Sequence, residues 1–214
     1  MELLANGSID GFIMSLSKET MEKQDFHHLR EVTNQGMPIV MFDRVCNDIP
    51  CDKVIIDDVA AGHEATEFLL RKGRNKLGII STVDYVNVGR LRSQGFKQAL
   101  EQRGFVVENH QFLKIEDIDN CENIIEKFVV NNDFDALVAV NELFAVTASK
   151  ALQKAGKKIP EDVAIVAFTD GMLSKYASPT LTTIGQKGEE MGGIAALKLI
   201  EKLESKDHEN ESYE

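Results

Sequence analysis

The feature that most constrains this chain is an alternation. Short, almost wholly apolar runs rich in β-branched residues (IDGFIM, PIVMF, KVII, KLGIIS, FLKI, ALVAV, VAIVAF and LTTI) are separated by polar loops and by segments with helical apolar spacing. Those segments lie at 19–35, 58–72, 87–103, 118–132, 142–155 and 187–204. Strands alternating with helices in this way form βαβ units and a parallel sheet. Helices on both faces of such a sheet bury its strands twice over, which is why the runs are continuous rather than polar at every second position. Gly36 with Pro38, Gly73 after Arg71 and Lys72, and Gly156 with Pro160 stand where the helices should end. Eight strand candidates are many for one sheet, so a division into two lobes is expected.

Charge and composition exclude several classes. With 35 acids against 24 bases the formal net charge is -11, and a surface of that sign repels the phosphates of a nucleic acid duplex. If nucleic acid is involved, another segment must touch it. The longest apolar runs fall far short of the roughly 20 residues of a membrane span, and no secretory signal opens the chain, so a cytoplasmic protein is expected. Cys46, Cys51 and Cys121 are an odd, sparse set without the short spacings of a zinc site and read as reduced thiols, with no metal. The charged stretch 204–214 lacks apolar period and reads as a solvated or disordered tail. The opening ELLANGSIDG reads as the last turn of a helix entering a strand, as though a βα unit preceded it.

Ligands of open α/β sheets bind beyond the carboxyl ends of the strands. Those ends carry Ser15 and Ser17, Asp43 and Arg44, Asp57 and Asp58, the loop 82–92, Asn141 and Glu142, and Thr169 and Asp170. Asp57, Asp58, Asn141 and Asp170 also stand where a helix needs an N-cap, and Asp43 is a frequent turn starter. Arg90 and Arg92 are the sharper signal, because a cation in a first helical turn opposes the helix dipole and needs another reason to be there. Catalysis has no foothold. G-x-G-x-x-G, G-x-x-x-x-G-K-[ST] and G-x-S-x-G are all missing, the tandem acids lack the partners phosphoryl transfer needs, and no histidine has an evident nucleophile.

The stretches IDGFIMS, MPIVMFDR, VIIDDVAAGHEATEFLLRKGRNKLGIIS, VGRLRSQGFKQALEQRG, FDALVAVNELFAVTASKALQKAGKKIPEDVAIVAFTDG and SPTLTTIGQKGEEMGGIAALKLI together resemble the effector-binding domain of LacI/GalR-type transcriptional regulators, which share their fold with type I periplasmic sugar-binding proteins. The resemblance implies an α/β fold of two doubly wound parallel-sheet lobes with a ligand cleft between them. It implies a partial N-lobe over 1–57, mainly C-lobe over 58–182, a hinge crossing and return helix over 183–204, and a polar tail over 205–214. The implied ligand is a small-molecule effector, usually a sugar or sugar derivative and sometimes a purine, with no cofactor. The implied assembly is a homodimer that meets DNA only through an N-terminal helix-turn-helix absent from this chain, effector binding changing lobe closure and DNA affinity. The rival is a periplasmic-type transport receptor, against which R-L-R-x-x-G-F and the three thiols weigh.

Residue by residue, the resemblance makes Arg92 the holder of the ligand's oxygens, a task suited to the fixed donors of a guanidinium, with Arg90 supporting the helix or cleft rim. Asp43 and Asn141 become polar cleft residues, Asp57 a lining position, and Gln186 the glutamine of a hinge strand. AFTD at 167–170 departs from the family's G-[YF]-D-D, so Thr169 replaces an aspartate that often accepts from sugar hydroxyls, and Asp170 caps or braces the turn. The helices 58–72 and 187–204, with Ala60, Ala61, Ala65, Met191 and Ile194, offer either a dimer surface or ordinary core packing.

Overall fold

The computed structural model describes residues 9–169 and 171–211, with side chains through 205. It divides into two compact units, one of Met1–Ile56 with Lys187–Glu214 (unit 1) and one of Asp57–Gln186 (unit 2). The opening residues 1–8, expected to end a helix and enter a strand, and Asp170, expected to cap or brace a turn, lie outside the described residues.

Unit 1 holds three parallel strands in the order β1 (Phe12–Met14), β2 (Ile39–Phe42), β3 (Asp52–Val54), with Phe12 opposite Ile39 and Val40 opposite Asp52. The single helix expected over 19–35 is in fact two, α1 (Lys18–Lys23) and α2 (His27–Asn34). Ser17 Oγ caps the first by accepting from Thr20 N at 3.0 Å. Gln24 then turns left-handed at φ 51, and Asp25 Oδ1 accepts from His27 N at 3.1 Å to open the second. Val40 and Val54 pack against Met191 and Ala195 of α8 (Gly188–Glu211). This helix runs on through Glu211, past the end of its apolar spacing, where a polar tail was expected. Lys, Glu and Ser cost a helix little, so loss of amphipathicity does not end it.

Unit 2 is a five-stranded parallel sheet of β4 (Leu77–Thr82), β5 (Phe112–Ile115), β6 (Ala136–Ala139), β7 (Ala164–Phe168) and β8 (Thr182–Ile184), in the order β5-β4-β6-β7-β8. Its helices are α3 (Asp58–Arg71), α4 (Asn87–Gln102), α5 (Cys121–Asn131), α6 (Glu142–Lys154) and the short α7 (Met172–Tyr176). Helix α7 was not expected, because its five residues are too few to show a period. Ile79, Ile80, Leu137, Val138, Val166, Phe96, Phe144 and Phe168 are buried in one core, each such side chain contributing about 1.5–3 kcal/mol by leaving water. Chain order reverses direction between β4 and β6, where a doubly wound sheet opens a crevice at the carboxyl ends of its strands.

Two glycines decide where the arginine helix sits. A Cβ on Gly62 of α3 would overlap the Arg92 carbonyl, and one on Gly95 of α4 would overlap the Val59 carbonyl. The helices therefore meet backbone to backbone, and Arg92 is fixed beside the start of α3. The apolar residues considered for a dimer surface divide accordingly. Ala65 is fully buried in the core of unit 2 and Met191 is buried in unit 1, so both are core packing, whereas Ala60 and Ile194 stay exposed.

Candidate functional site

At the reversal point of the five-stranded sheet, the strand ends of β4 and β6 are joined by a hydrogen bond from Val140 N to Ile80 O of 3.0 Å. Arg92 reaches this point from the second turn of α4 and is only 2% exposed. Its Nε donates to Asp58 Oδ1 at 2.8 Å and its Nη1 to Val140 O at 2.7 Å. Its guanidinium carbon lies 4.1 Å from the centre of the Phe168 ring, a cation–π contact worth up to roughly 2 kcal/mol when desolvated. With the Gln186 amide oriented so that its oxygen faces this donor-only group, Oε1 accepts from Nη2 and, at 3.2 Å, from Nη1, while its nitrogen donates to Thr169 Oγ1 at 2.6 Å. The structure thus brings Arg92, Thr169 and Gln186 into one network in unit 2.

Thr169 is held in a conformation β-branched residues avoid, with φ 77. Its amide donates to Ile184 O at 3.0 Å, which keeps the left-handed turn at the carboxyl end of β7. Strain of this kind costs on the order of 1–3 kcal/mol and gathers at ligand sites.

The remaining expected residues fall into two groups. Asp57 and Asn141 are helix N-caps: Asp57 Oδ1 accepts from Ala60 N at 2.8 Å, and Asn141 Oδ1 from Phe144 N at 2.8 Å. Asn141 directly follows Val140, whose carbonyl takes the arginine. Asp43 belongs to unit 1, at φ 58 after β2, and its carboxylate is 3.9 Å from Arg44 Nε. Arg90 is exposed.

Asp58 was expected as a second cap, and the structure corrects this. Only one acid of the tandem fits the cap position, and the other turns inward to Arg92 with a side chain 7% exposed. A tandem of acids facing an arginine with no acid in its own first turn was the available signal. Three further polar atoms escaped the sequence. Thr82 Oγ1, the Tyr85 hydroxyl and Asn87 Oδ1 are buried without a hydrogen-bond partner, all within the loop from β4 into α4. Buried polar atoms are nearly always paired, so three orphans within six residues single this loop out.

Nothing here resembles a metal centre. Among the described residues no group of three or more His, Cys, Asp or Glu converges. Burial pushes the Cys51 and Cys121 thiols above their ordinary range, which favours the protonated form. No helix among the described residues is long and apolar enough to cross a membrane.

Comparison with known proteins bears on the family and the fold. Residues 66–214 match the family described as periplasmic binding protein-like domain. The HTH-type transcriptional regulator DegA of Bacillus subtilis is 29% identical over 191 residues, 89% of this chain and 56% of its own. The HTH-type transcriptional repressor PurR of Aliivibrio salmonicida is 28% identical over 217 residues, all of this chain and 64% of its own. The chain thus spans only about three fifths of the length of these relatives. A solved complex of the transcriptional regulator CelR with cellobiose superposes with a TM-score of 0.84 at 25% identity, covering 96% of this chain and 62% of that one. A LacI-family regulatory protein from Chloroflexus aggregans shares the fold at a TM-score of 0.82 and 24% identity, over 95% of this chain and 72% of that one. DegA and PurR are transcriptional regulators, and this chain belongs to the periplasmic binding protein-like domain family.

Proposed function

We propose that unit 2 seats a small-molecule effector, a sugar or sugar derivative, at the carboxyl ends of β4, β6 and β7. The chain is then the sensing part of a dimeric cytoplasmic regulator whose DNA is read by a helix-turn-helix outside this chain. The observation that carries this reading is the set of orphaned polar atoms, Thr82 Oγ1, Tyr85 OH and Asn87 Oδ1, beside the buried arginine network at the reversal point of the sheet. Hydroxyls donate and accept at once, as a sugar's do, and an amide oxygen accepts. The CelR neighbour was solved with cellobiose, and a 28% identical relative from Haemophilus influenzae is a ribose operon repressor, which supports testing sugars first. Effector binding changes DNA affinity by preferring one arrangement of the protein, a coupling of typically about 1–3 kcal/mol.

The test uses Tyr85→Phe and Asn87→Ala, which remove the orphaned hydroxyl and amide oxygen. Wild type and both variants are heated with sugars, uronic acids, sugar phosphates and purines. A ligand at about 100 times its Kd adds roughly 2.7 kcal/mol to the wild type. The expected result is a thermal shift that shrinks in both variants while their unliganded midpoints stay level or rise. An undiminished shift in both variants removes the loop from the site, and a shift from purines alone replaces the ligand class.

A further inference from the structure

The question that follows from that reading is which charge of effector the site accepts. Arg92 and Asp58 have side chains 2% and 7% exposed, with Nε and Oδ1 2.8 Å apart. A guanidinium buried this far keeps its charge, and Asp58 supplies the opposite charge from within the same unit. Near the strand ends, Asp84 is paired with Lys114 at 2.5 Å, Glu142 accepts from Ser174 N at 3.1 Å, Asp57 is a cap, and Arg90 is exposed. Thr169, Gln186, Asn141, Thr82, Tyr85 and Asn87 are uncharged. Among the described residues, then, the strand ends hold no uncompensated buried cation, although an arginine lies at their centre.

Carboxylates and phosphates only accept hydrogen bonds, and in a low-dielectric site they need a cation to replace lost hydration. Here Nε already serves Asp58 and Nη1 serves Val140 O. Gln186 occupies the remaining edge through a neutral amide oxygen, which a ligand hydroxyl can replace with no change in charge. Asn87 Oδ1 is an acceptor and suits a ligand hydroxyl.

We propose that Asp58 is the positioning residue that makes this site select uncharged polyhydroxy effectors over their anionic counterparts, by neutralising Arg92 before a ligand arrives. This rests on the sensing function proposed above. The role differs from capping, which Asp57 performs, and from ligand contact, since Asp58 acts through the arginine.

The test measures binding of matched pairs to wild type, Asp58→Asn and Asp58→Asn/Arg92→Gln, using glucose with glucuronate, galactose with galacturonate, and ribose with ribose 5-phosphate. The wild type is expected to bind the uncharged member of its preferred pair at least about tenfold more tightly. In Asp58→Asn that ratio falls by about tenfold or reverses, because the buried guanidinium is left uncompensated. The double variant, again neutral, restores preference for the uncharged member at lower affinity. A purely structural Asp58 would weaken both members equally, and an unchanged ratio overturns the proposal. Should Asp58→Asn fail to fold, the wild-type ratio still decides: an anionic member binding as tightly as its partner overturns the selectivity and leaves sugar sensing standing. If neither these pairs nor any sugar of the thermal screen binds wild type, sugar sensing itself falls and the selectivity with it.

Discussion

The two ends of the five-stranded sheet are built to different ends. At its amino end the polar groups find protein partners. Asp135 accepts from Asn75 N and Lys76 N at 2.9 Å each, and Arg74 donates to Pro160 O at 2.6 Å and Glu161 O at 3.1 Å. At its carboxyl end three buried polar atoms of one loop are orphaned, a threonine sits at φ 77, and a charged pair is sunk into the core. The same strands carry both ends, so the contrast cannot come from the sheet. One end spends its polar groups on holding the fold, and the other withholds them, the pattern expected where a protein breaks local rules for a ligand.

The largest expected effect lies at the carboxyl end. Arg92→Ala leaves Asp58 buried without its cation and should cost roughly 3–5 kcal/mol in denaturant unfolding. Adding Asp58→Leu should recover much of that loss, since an apolar pair of similar volume avoids the desolvation of both charges. If the single and double variants are equally unstable, the pair is not the origin of the cost. Next comes Asp135→Ala at the amino end, which removes charge-assisted bonds to two backbone amides and should cost about 1.5–3 kcal/mol. Effector affinity should not change in this variant. A drop in affinity would break the division of labour between the ends.

Smaller and opposite in sign is Tyr85→Phe without ligand. Deleting a buried hydroxyl that has no partner should raise stability by up to about 1 kcal/mol, or leave it level. A clear loss by calorimetry would mean that the hydroxyl already serves the fold, and the contrast between the ends would narrow to Thr82 and Asn87.

How much of this was legible in the sequence follows from the range of each interaction. The strand runs could be read because parallel strands buried on both faces must be apolar throughout, and all eight candidates became strands. The break at Gln24 could not, because glutamine is an ordinary helix former and its left-handed turn is a local choice. Arg92 was visible from its strand-to-helix turn, although it lies in the second turn of α4 and not the first, and Asp57 was visible as a cap, since both are local signals. The pairing of Arg92 with Asp58 spans 34 residues, and the choice between two adjacent acids depends on Gly62 and Gly95 drawing two helices together. The orphaned atoms of Thr82, Tyr85 and Asn87 were less legible still. A polar loop looks the same in sequence whether its side chains are satisfied or not.

The smallest effect tests whether the helix surface away from the sheet ends stays indifferent to both. Arg103 donates to Glu67 through Nε at 2.9 Å and Nη2 at 2.7 Å, joining α4 to α3 on an outer face. The hydrogen bond from Arg103 is the main reason the Glu67 carboxyl is held below its ordinary range, with the arginine's charge adding to it against the opposing effect of burial. Because the folded value is depressed, the stabilisation is complete above the unfolded glutamate value, near 4.3, and disappears as pH falls through the folded value. The arginine is about half exposed, with its side chain at 48%, and pairs of that kind contribute about 0.2–1 kcal/mol. Glu67→Gln should therefore lower stability by no more than about 1 kcal/mol at neutral pH, with the difference closing as pH falls below the unfolded glutamate value and shrinking in high salt. Effector affinity should follow none of these changes. If it does, the outer ion pair, and not the close approach at Gly62 and Gly95 alone, helps to set the position of Arg92.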